Sequence, residues 1–322
     1  MKLSEAIEAL CVATRADGRS PETVTAYQRK LKPLVAFLGD IPVEQVTIDD
    51  LRGFVVHLRD RPTRWANHPK HQERAGGLSQ FTIASHVRSV KRLFNWLEAE
   101  GALEHNPARR LNTPQPRRRE PKAADMRDVL ALLQTTDGGS AADRRDRVII
   151  LLLADTGCRL GGLCGLRVED INLDAAWARV REKGDQDRLV FFCPPTAEAL
   201  RAWLAVRPLD QGPWLFVSLG NKARGKLSPS GVQQALRRRA KAAGVTGRVN
   251  PHAFRHAFAR EFLLNGGNLA SASGMMGHSS VAVTAYFYTI FTTQEQQAQH
   301  RRYSPVARLL GGNRDDHKEG EI

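Results

Sequence analysis

Apolar side chains recur every three to four residues through most of the first hundred positions, which is the spacing of helices that bury one face. Three of these stretches open on a residue that favours a helix start, Ser20, Thr47 or Ser79. Pro21 and Gly39 add a start and a stop signal to the second stretch. We predict helices over 3–13, 21–38, 48–58 and 80–97, and a loop over 60–78, which is rich in Pro, Gly, His and charge.

The pattern changes after about residue 120. Helical spacing returns over six stretches, and one patch alternates with a period of two. Residues 176–181 alternate, 183–185 (Lys-Gly-Asp) favour a turn, and 188–192 run back, which predicts a β-hairpin. The predicted fold class is therefore mainly α with a small β-hairpin or sheet: a helical N-terminal domain followed by a mixed α+β domain. The predicted helices of the second part are 125–134, 143–155, 196–206, 229–243, one opened by 252–255, and one over 280–288.

A short Pro-rich basic stretch separates the two parts. Residues 112–122 hold three prolines and four basic residues, so the stretch favours an extended and solvated path. We therefore predict a helical domain over 1–111, a linker over 112–122, a second domain over 123–302 and a C-terminal segment over 303–322.

Charge indicates a partner. The 322 residues carry a formal net charge of +14. Residues 1–121 hold 20 Lys and Arg against 14 Asp and Glu, and the remainder holds 28 against 20, so both parts are basic. This balance favours a clamp on nucleic acid. The candidate DNA-binding residues are Arg88, Lys91, Arg92, Arg117, Arg118, Arg119, Arg237, Arg238 and Lys241.

Other features predict an intracellular protein without a metal centre. No apolar run approaches the ~20 residues of a membrane helix, and the first residues lack a signal-peptide pattern. A cytoplasmic, DNA-associated location is expected. The four cysteines show no metal-binding spacing and are predicted to be small, reduced core residues. No cofactor is expected.

Separate short motifs supply the candidate chemistry. Arg159 lies in Thr-Gly-Cys-Arg, and His252 and Arg255 lie in His-Ala-Phe-Arg. His278 lies in Gly-His-Ser-Ser, 26 residues after His252, and an aromatic run Tyr-Phe-Tyr follows over 286–288. Planar guanidinium groups can grip phosphate oxygens in a bidentate fork, and an imidazole titrates near neutrality. The set therefore suits the binding of a phosphodiester while a hydroxyl attacks it.

These motifs, in this order, resemble the tyrosine recombinases of the phage-integrase family, in the compact layout of its Xer-like members. The resemblance covers nearly the whole chain, and implies a helical core-binding (SAM-like) domain followed by a catalytic domain. It implies catalytic roles for Arg159, Lys183, His252, Arg255 and His278, with Lys183 as the acid for the leaving 5′ oxygen. It further implies cleavage and rejoining of DNA through a 3′-phosphotyrosine.

Two positions depart from the family pattern. A carboxylate often stands three residues after the first arginine, and this chain has Gly162 there. The nucleophilic tyrosine usually lies nine residues after the second histidine, and that position holds Phe287. Phe287 could be a deliberate Tyr→Phe change in a cleavage-deficient form, Tyr288 or Tyr286 could be the nucleophile, or the chain could bind DNA without cutting it.

Three functions remain open on the sequence. The first is a site-specific recombinase acting on two paired DNA sites, either as a homotetramer or together with a related partner recombinase. Here the amphipathic stretch within 294–310 would contact a neighbouring subunit, or else fold back on its own domain. The second is a sequence-specific DNA-binding protein without catalysis. The third is a monomeric type IB topoisomerase, which the small helical N-terminal domain disfavours.

Overall fold

A computed structural model describes residues 1–64, 73–116, 123–182, 186–220 and 225–277, together with 294, 295, 297 and 300. The chain forms two compact units, Met1–Arg118 and Arg119–Ile322. The division falls inside the predicted linker, while the predicted limits at 111 and 123 remain predictions. Within the described residues, no helix combines the length and apolar character needed to cross a membrane.

The described part of the first unit contains four α-helices around one apolar core. They are α1 (Leu3–Ala16), α2 (Pro21–Leu38), α3 (Ile48–Arg59) and α4 (Gln80–Ala99). The Thr47 side chain caps α3 by accepting from the Asp50 amide, and Ser79 caps α4 by accepting from the Thr82 amide. Ser20 precedes α2 as predicted but makes no side-chain cap. The buried stripes of these helices pack on one another, which covers their apolar faces.

Two predictions for this unit were incomplete. Helix α1 runs three residues past the predicted end, because buried Thr14 occupies the next position of the apolar stripe although it is polar. The predicted loop contains two short antiparallel strands, β1 (Thr63–Arg64) and β2 (Arg74–Ala75). Strands of two residues leave no alternating pattern for a sequence to show.

The second unit places helices around a small antiparallel sheet. Its elements are α5 (Met126–Gln134), α6 (Ala141–Thr156), α7 (Leu160–Gly165), β3 (Ile171–Asn172), β4 (Trp177–Glu182), β5 (Gln186–Phe191), α8 (Pro194–Leu204), α9 (Pro229–Ala242), α10 (Pro251–Leu264) and α11 (Leu269–Met276). The strand order is β3-β4-β5. The predicted hairpin is present, with Trp177 opposite Phe191, and the two-residue β3 was not predicted. Helix α6 packs on both α8 and α10 and is central to the core.

A contact with a half-buried carboxylate moves the start of α8 to Pro194, two residues before the predicted start. The Asp155 side chain accepts from the Cys193 amide at 2.8 Å and from the Thr196 hydroxyl at 2.7 Å. This contact fixes the first turn, which proline tolerates. It also leaves Cys193 exposed, so the prediction of a core cysteine was wrong there, whereas Cys11, Cys158 and Cys164 are buried.

Candidate functional site

Four helix ends meet in the second unit. Helix α6 ends at Gly157, which adopts the left-handed conformation with φ 56°, and Arg159 stands just before α7. Helix α10 begins at Pro251, and the Asn250 side chain caps it by accepting from the amides of His252 and Ala253. These local signals place His252 in the first turn of α10, with Arg255 close behind it.

Arg255 is buried between two helix ends. Its side chain is 4 % exposed. The Nη1 group donates to the Gly157 carbonyl at 2.7 Å, and Nη2 donates to the Met276 carbonyl in the last turn of α11. Both carbonyls belong to helix C-termini, whose negative dipole ends stabilise a cation. Burial, then the cations Arg159 and Arg188, lower the pKa of Arg255 to about 10, so the guanidinium stays charged near neutral pH.

Arg159 is half-buried and points to the same turn. Its Nη2 donates to the Gly277 carbonyl at 3.0 Å. Burial, and then Arg188, lower the pKa of Arg159. Position 162, where a carboxylate was expected to support this arginine, is a buried glycine in α7. The Gly277 carbonyl is therefore one group that holds Arg159 without a carboxylate at 162.

His252 is exposed beside these arginines. Its ring lies 4.5 Å from the His256 ring at an interplanar angle of 64°. Partial burial, and then Arg255 and Arg159, lower the pKa of His252. The imidazole is therefore neutral at neutral pH and can accept a proton.

A basic cavity opens in front of the arginines and the histidine. It has a volume of about 920 Å³. Helix α9 and the segment after it supply the rest of its polar lining. The polar residues that line the cavity besides Arg159, His252 and Arg255 are Gln233, Arg237, Lys241, Arg248 and Asn250. The cavity thus combines fixed positive charge with hydrogen-bond donors, which suits an anionic ligand.

The predicted DNA-binding residues separate into groups. Arg237 and Lys241 line the cavity, but Arg238 is not among its lining residues and lies 3.9 Å from buried Asp146. The structure therefore does not bring Arg238 together with the site. Arg238 follows Arg237 by one residue on α9, and that position faces away from the cavity. On α4, Arg88 and Arg92 are exposed.

Lys91 already holds part of its own unit together. Its ammonium group donates to the Leu111 carbonyl at 2.9 Å, which ties α4 to the end of the unit. The remaining predicted site residues lie outside the described residues. They are Arg117, Arg118, Arg119, Lys183, His278, Tyr286, Phe287 and Tyr288.

Arg188 was not among the sequence candidates, although it contacts the same helix end. Its Nη1 donates to the Met275 carbonyl. The alternation of β5 carried a signal, since Arg188 shares a face with Val190, which is buried, whereas Leu189 and Phe191 are exposed. An arginine in the inward register of a strand could have been singled out on that ground.

Replacing Gly157 is expected to destabilise the fold and displace Arg255. A Cβ atom there would lie 2.6 Å from the Phe258 ring, and the left-handed conformation costs a residue other than glycine about 1–2 kcal/mol. Gly157→Ala should lower the midpoint of thermal unfolding by several degrees. Gly161→Ala in α7 is the control, because its Cβ would have no neighbour within 4 Å. Equal midpoints for the two variants would contradict the close approach.

The fold and the site define a mainly helical class of protein with paired arginines at a basic cavity. The profile of the Phage integrase family matches residues 123–295, and that of the phage integrase N-terminal SAM-like domain matches residues 14–68. The chain belongs to the phage integrase family of tyrosine recombinases. This finding confirms the family and the fold class that the sequence predicted.

Curated relatives agree with the assignment. Tyrosine recombinase XerC of Alcanivorax borkumensis is 33 % identical over 274 residues, which cover 83 % of each chain. Tyrosine recombinase XerC of Chromobacterium violaceum is 31 % identical over 318 residues, which cover 97 % of each chain. Tyrosine recombinase XerD of Mycobacterium leprae is 32 % identical over 285 residues, which cover 84 % of this chain and 87 % of the relative.

Solved structures share the fold at lower identity. XerH recombinase bound to a palindromic difH substrate is 17 % identical with a TM-score of 0.69, covering 91 % of this chain and 83 % of that chain. A lambda integrase tetramer bound to a Holliday junction is 17 % identical with a TM-score of 0.67, covering 89 % of this chain and 77 % of that chain.

Proposed function

We propose that this chain is a site-specific DNA recombinase that cuts and rejoins double-stranded DNA through a 3′-phosphotyrosine. The observation that carries the proposal is the convergence of Arg159, His252 and Arg255 on one basic cavity. Two guanidinium groups from different helices would grip the non-bridging oxygens of the scissile phosphate. Such fixed donors stabilise the charge that develops there by about 3–4 kcal/mol each.

The proposed reaction conserves the energy of the phosphodiester bond in a covalent link to the protein. A tyrosine oxygen attacks phosphorus and the bond to the 5′ oxygen breaks, which leaves a 3′-phosphotyrosine and a free 5′-hydroxyl. His252, neutral at neutral pH, accepts the phenolic proton or donates to the phosphate. Lys183 protonates the leaving 5′ oxygen, and His278 provides a second hydrogen bond to the phosphate. The reverse attack by a 5′-hydroxyl of another strand rejoins the DNA without ATP or hydrolysis.

The nucleophile position is proposed from spacing. Nine residues after His278 lies Phe287, which has no hydroxyl, and this placement makes the chain a cleavage-deficient form that still binds DNA. Tyr288 supplies a hydroxyl one residue further on, and Tyr286 one residue earlier. Either of those placements makes the chain an active enzyme. With the nucleophile position at Phe287, the chain should form no covalent adduct with DNA. With the nucleophile at Tyr288 or Tyr286, it should form one.

The assembly is proposed from two solved structures that share the fold and from the C-terminal segment. Lambda integrase is solved as a tetramer on a Holliday junction, and XerH is solved on its difH substrate. We propose a tetramer on two paired sites, with the amphipathic stretch within 294–310 contacting a neighbouring subunit. Phe287 favours a second candidate, a non-catalytic DNA-binding protein of the same fold.

Strand exchange between two labelled duplexes tests the function. Each duplex carries a sequence that the protein itself selects from a random pool. Recombinant products support the recombinase. Relaxation of supercoiled DNA without recombinants would support a topoisomerase, and binding without either product would support the non-catalytic candidate. The form used is Phe287→Tyr, which carries a hydroxyl at each of positions 286–288.

Removing Arg237 is expected to weaken DNA binding in a salt-dependent way. Each neutralised phosphate contributes about −0.9 to the slope of log affinity against log salt concentration. If the Arg237 side chain in the cavity contacts one phosphate, Arg237→Ala should reduce the size of that slope by about 0.9. Arg238→Ala removes the same charge from the adjacent position outside the cavity and should change the slope less. Equal slopes for the two variants would contradict a DNA path through the cavity.

A further inference from the structure

Three arginines from three elements donate to three successive carbonyls at the end of α11. Arg188 of β5 donates to Met275, Arg255 of α10 donates to Met276, and Arg159 ahead of α7 donates to Gly277. Gly277 ends the helix in the left-handed conformation, with φ 62° and ψ 46°. The next residue in the sequence is His278.

We propose that Arg188 is a positioning residue for strand cleavage, which holds the last turn of α11 in the place that Arg159, Arg255 and His278 require. The inference rests on the proposed function, since it names a further residue for that reaction. Arg188 acts on the reaction through the Met275 carbonyl and through its charge, and not through a bond to the reacting atoms.

The sheet anchors the backbone of Arg188. Strand β5 pairs with β4 along six residue pairs, and Arg188 stands opposite Val180, which is buried. The inward face of β5 thus directs the guanidinium away from solvent. A side chain anchored on a paired strand can hold a helix end more firmly than one on a loop.

The strand that holds Arg188 follows closely on a member of the predicted catalytic set. Lys183 lies in the sequence between β4 and β5, and Arg188 lies on β5. Through Arg188 the hairpin is tied to the helix end that precedes His278. A shift of that helix end would move the backbone groups that orient Arg159 and Arg255 as well.

The charges support this role. Arg188 is one of the cations that lower the pKa of both Arg159 and Arg255, and burial lowers its own pKa. Three guanidinium groups are thus close enough to repel one another. The helix C-terminus offsets the repulsion, because its carbonyls and dipole face the cations.

Covalent capture of DNA tests the inference in the full-length chain. The probe is a nicked duplex with the sequence that the protein selects from a random pool, and the parent is the form that carries the active hydroxyl within 286–288. Arg188→Ala should slow capture at saturating protein by about 100-fold, the cost of misplacing catalytic groups by about 1 Å. Its affinity for the duplex should match that of the control.

The control is Arg179→Ala, on the adjacent strand β4. Arg179 is also an arginine of the sheet, but its side chain is 51 % exposed and lies 3.4 Å from Asp170. Its loss removes the same charge without touching α11. Arg188→Lys keeps a donor and a charge and should recover part of the capture rate.

The outcomes separate the inference from the proposed function. A capture rate for Arg188→Ala equal to that of Arg179→Ala would overturn the inference, and so would a loss confined to DNA affinity. If Arg188→Ala does not fold, Arg188→Gln is measured instead. It should likewise slow covalent capture while leaving the affinity for the duplex unchanged. If no parent form captures DNA, the proposed function itself fails.

Discussion

Covalent capture of nicked DNA is expected to depend on one hydroxyl among residues 286–288. The double variant Tyr286→Phe, Tyr288→Phe retains Phe287 and has no hydroxyl in this run, so it should form no covalent adduct with DNA. Phenylalanine cannot form a phosphate ester, and in the proposed mechanism the other groups of the site hold the phosphate without replacing the nucleophile. The measurement is the fraction of labelled duplex that migrates with denatured protein.

Restoring one hydroxyl at a time identifies the nucleophile position. In the double-variant background, an adduct formed on adding Phe287→Tyr places the nucleophile nine residues after His278 and makes the chain with Phe287 a cleavage-deficient form. An adduct that requires Tyr288 or Tyr286 instead makes the chain as it stands an active enzyme. The double variant should still bind the duplex as tightly as the parent. An adduct from the double variant would contradict the assignment of the nucleophile to this run.

Replacing Arg255 is expected to abolish most cleavage while changing stability little. Arg255→Met keeps much of the side-chain volume but removes a fixed donor from the phosphate site. The capture rate should fall by about 10²–10³-fold, as for the loss of one oxyanion-hole donor. Two effects on the free energy of unfolding oppose each other. The Gly157 and Met276 carbonyls lose a donor, which lowers it. A desolvated cation near Arg159 and Arg188 is removed, which raises it.

An exposed arginine provides the control for Arg255. Arg201 lies on α8 with its side chain 55 % exposed and 3.8 Å from Asp174, so Arg201→Met should leave the capture rate at the parental value. The rates of both variants and their denaturant unfolding curves are compared. A parental capture rate for Arg255→Met would remove Arg255 from the site. A loss of rate that tracks unfolding would instead assign it a structural role.

Much of the fold and of the candidate chemistry could be predicted because the signals are local. Apolar spacing and cap residues fix the helices within a few residues, as for α3, which begins after Thr47. Alternation and a turn tripeptide predict the hairpin. The motifs around Arg159 and Arg255 identify the family because each combines several residue types at short spacing.

Tertiary packing decided what no local pattern contains. The way in which distant helix ends meet decides which groups hold Arg159 and Arg255. It also decides that Arg237 lines the cavity with them and that Arg238 does not. Arg188 gains its contact with α11 only because β5 and α11 come together, although they are separated by some 80 residues of chain. The sequence alone determined the residue types from which a phosphate site is proposed. The tertiary structure decided which of them converge, because burial and helix dipoles act through space and not along the chain.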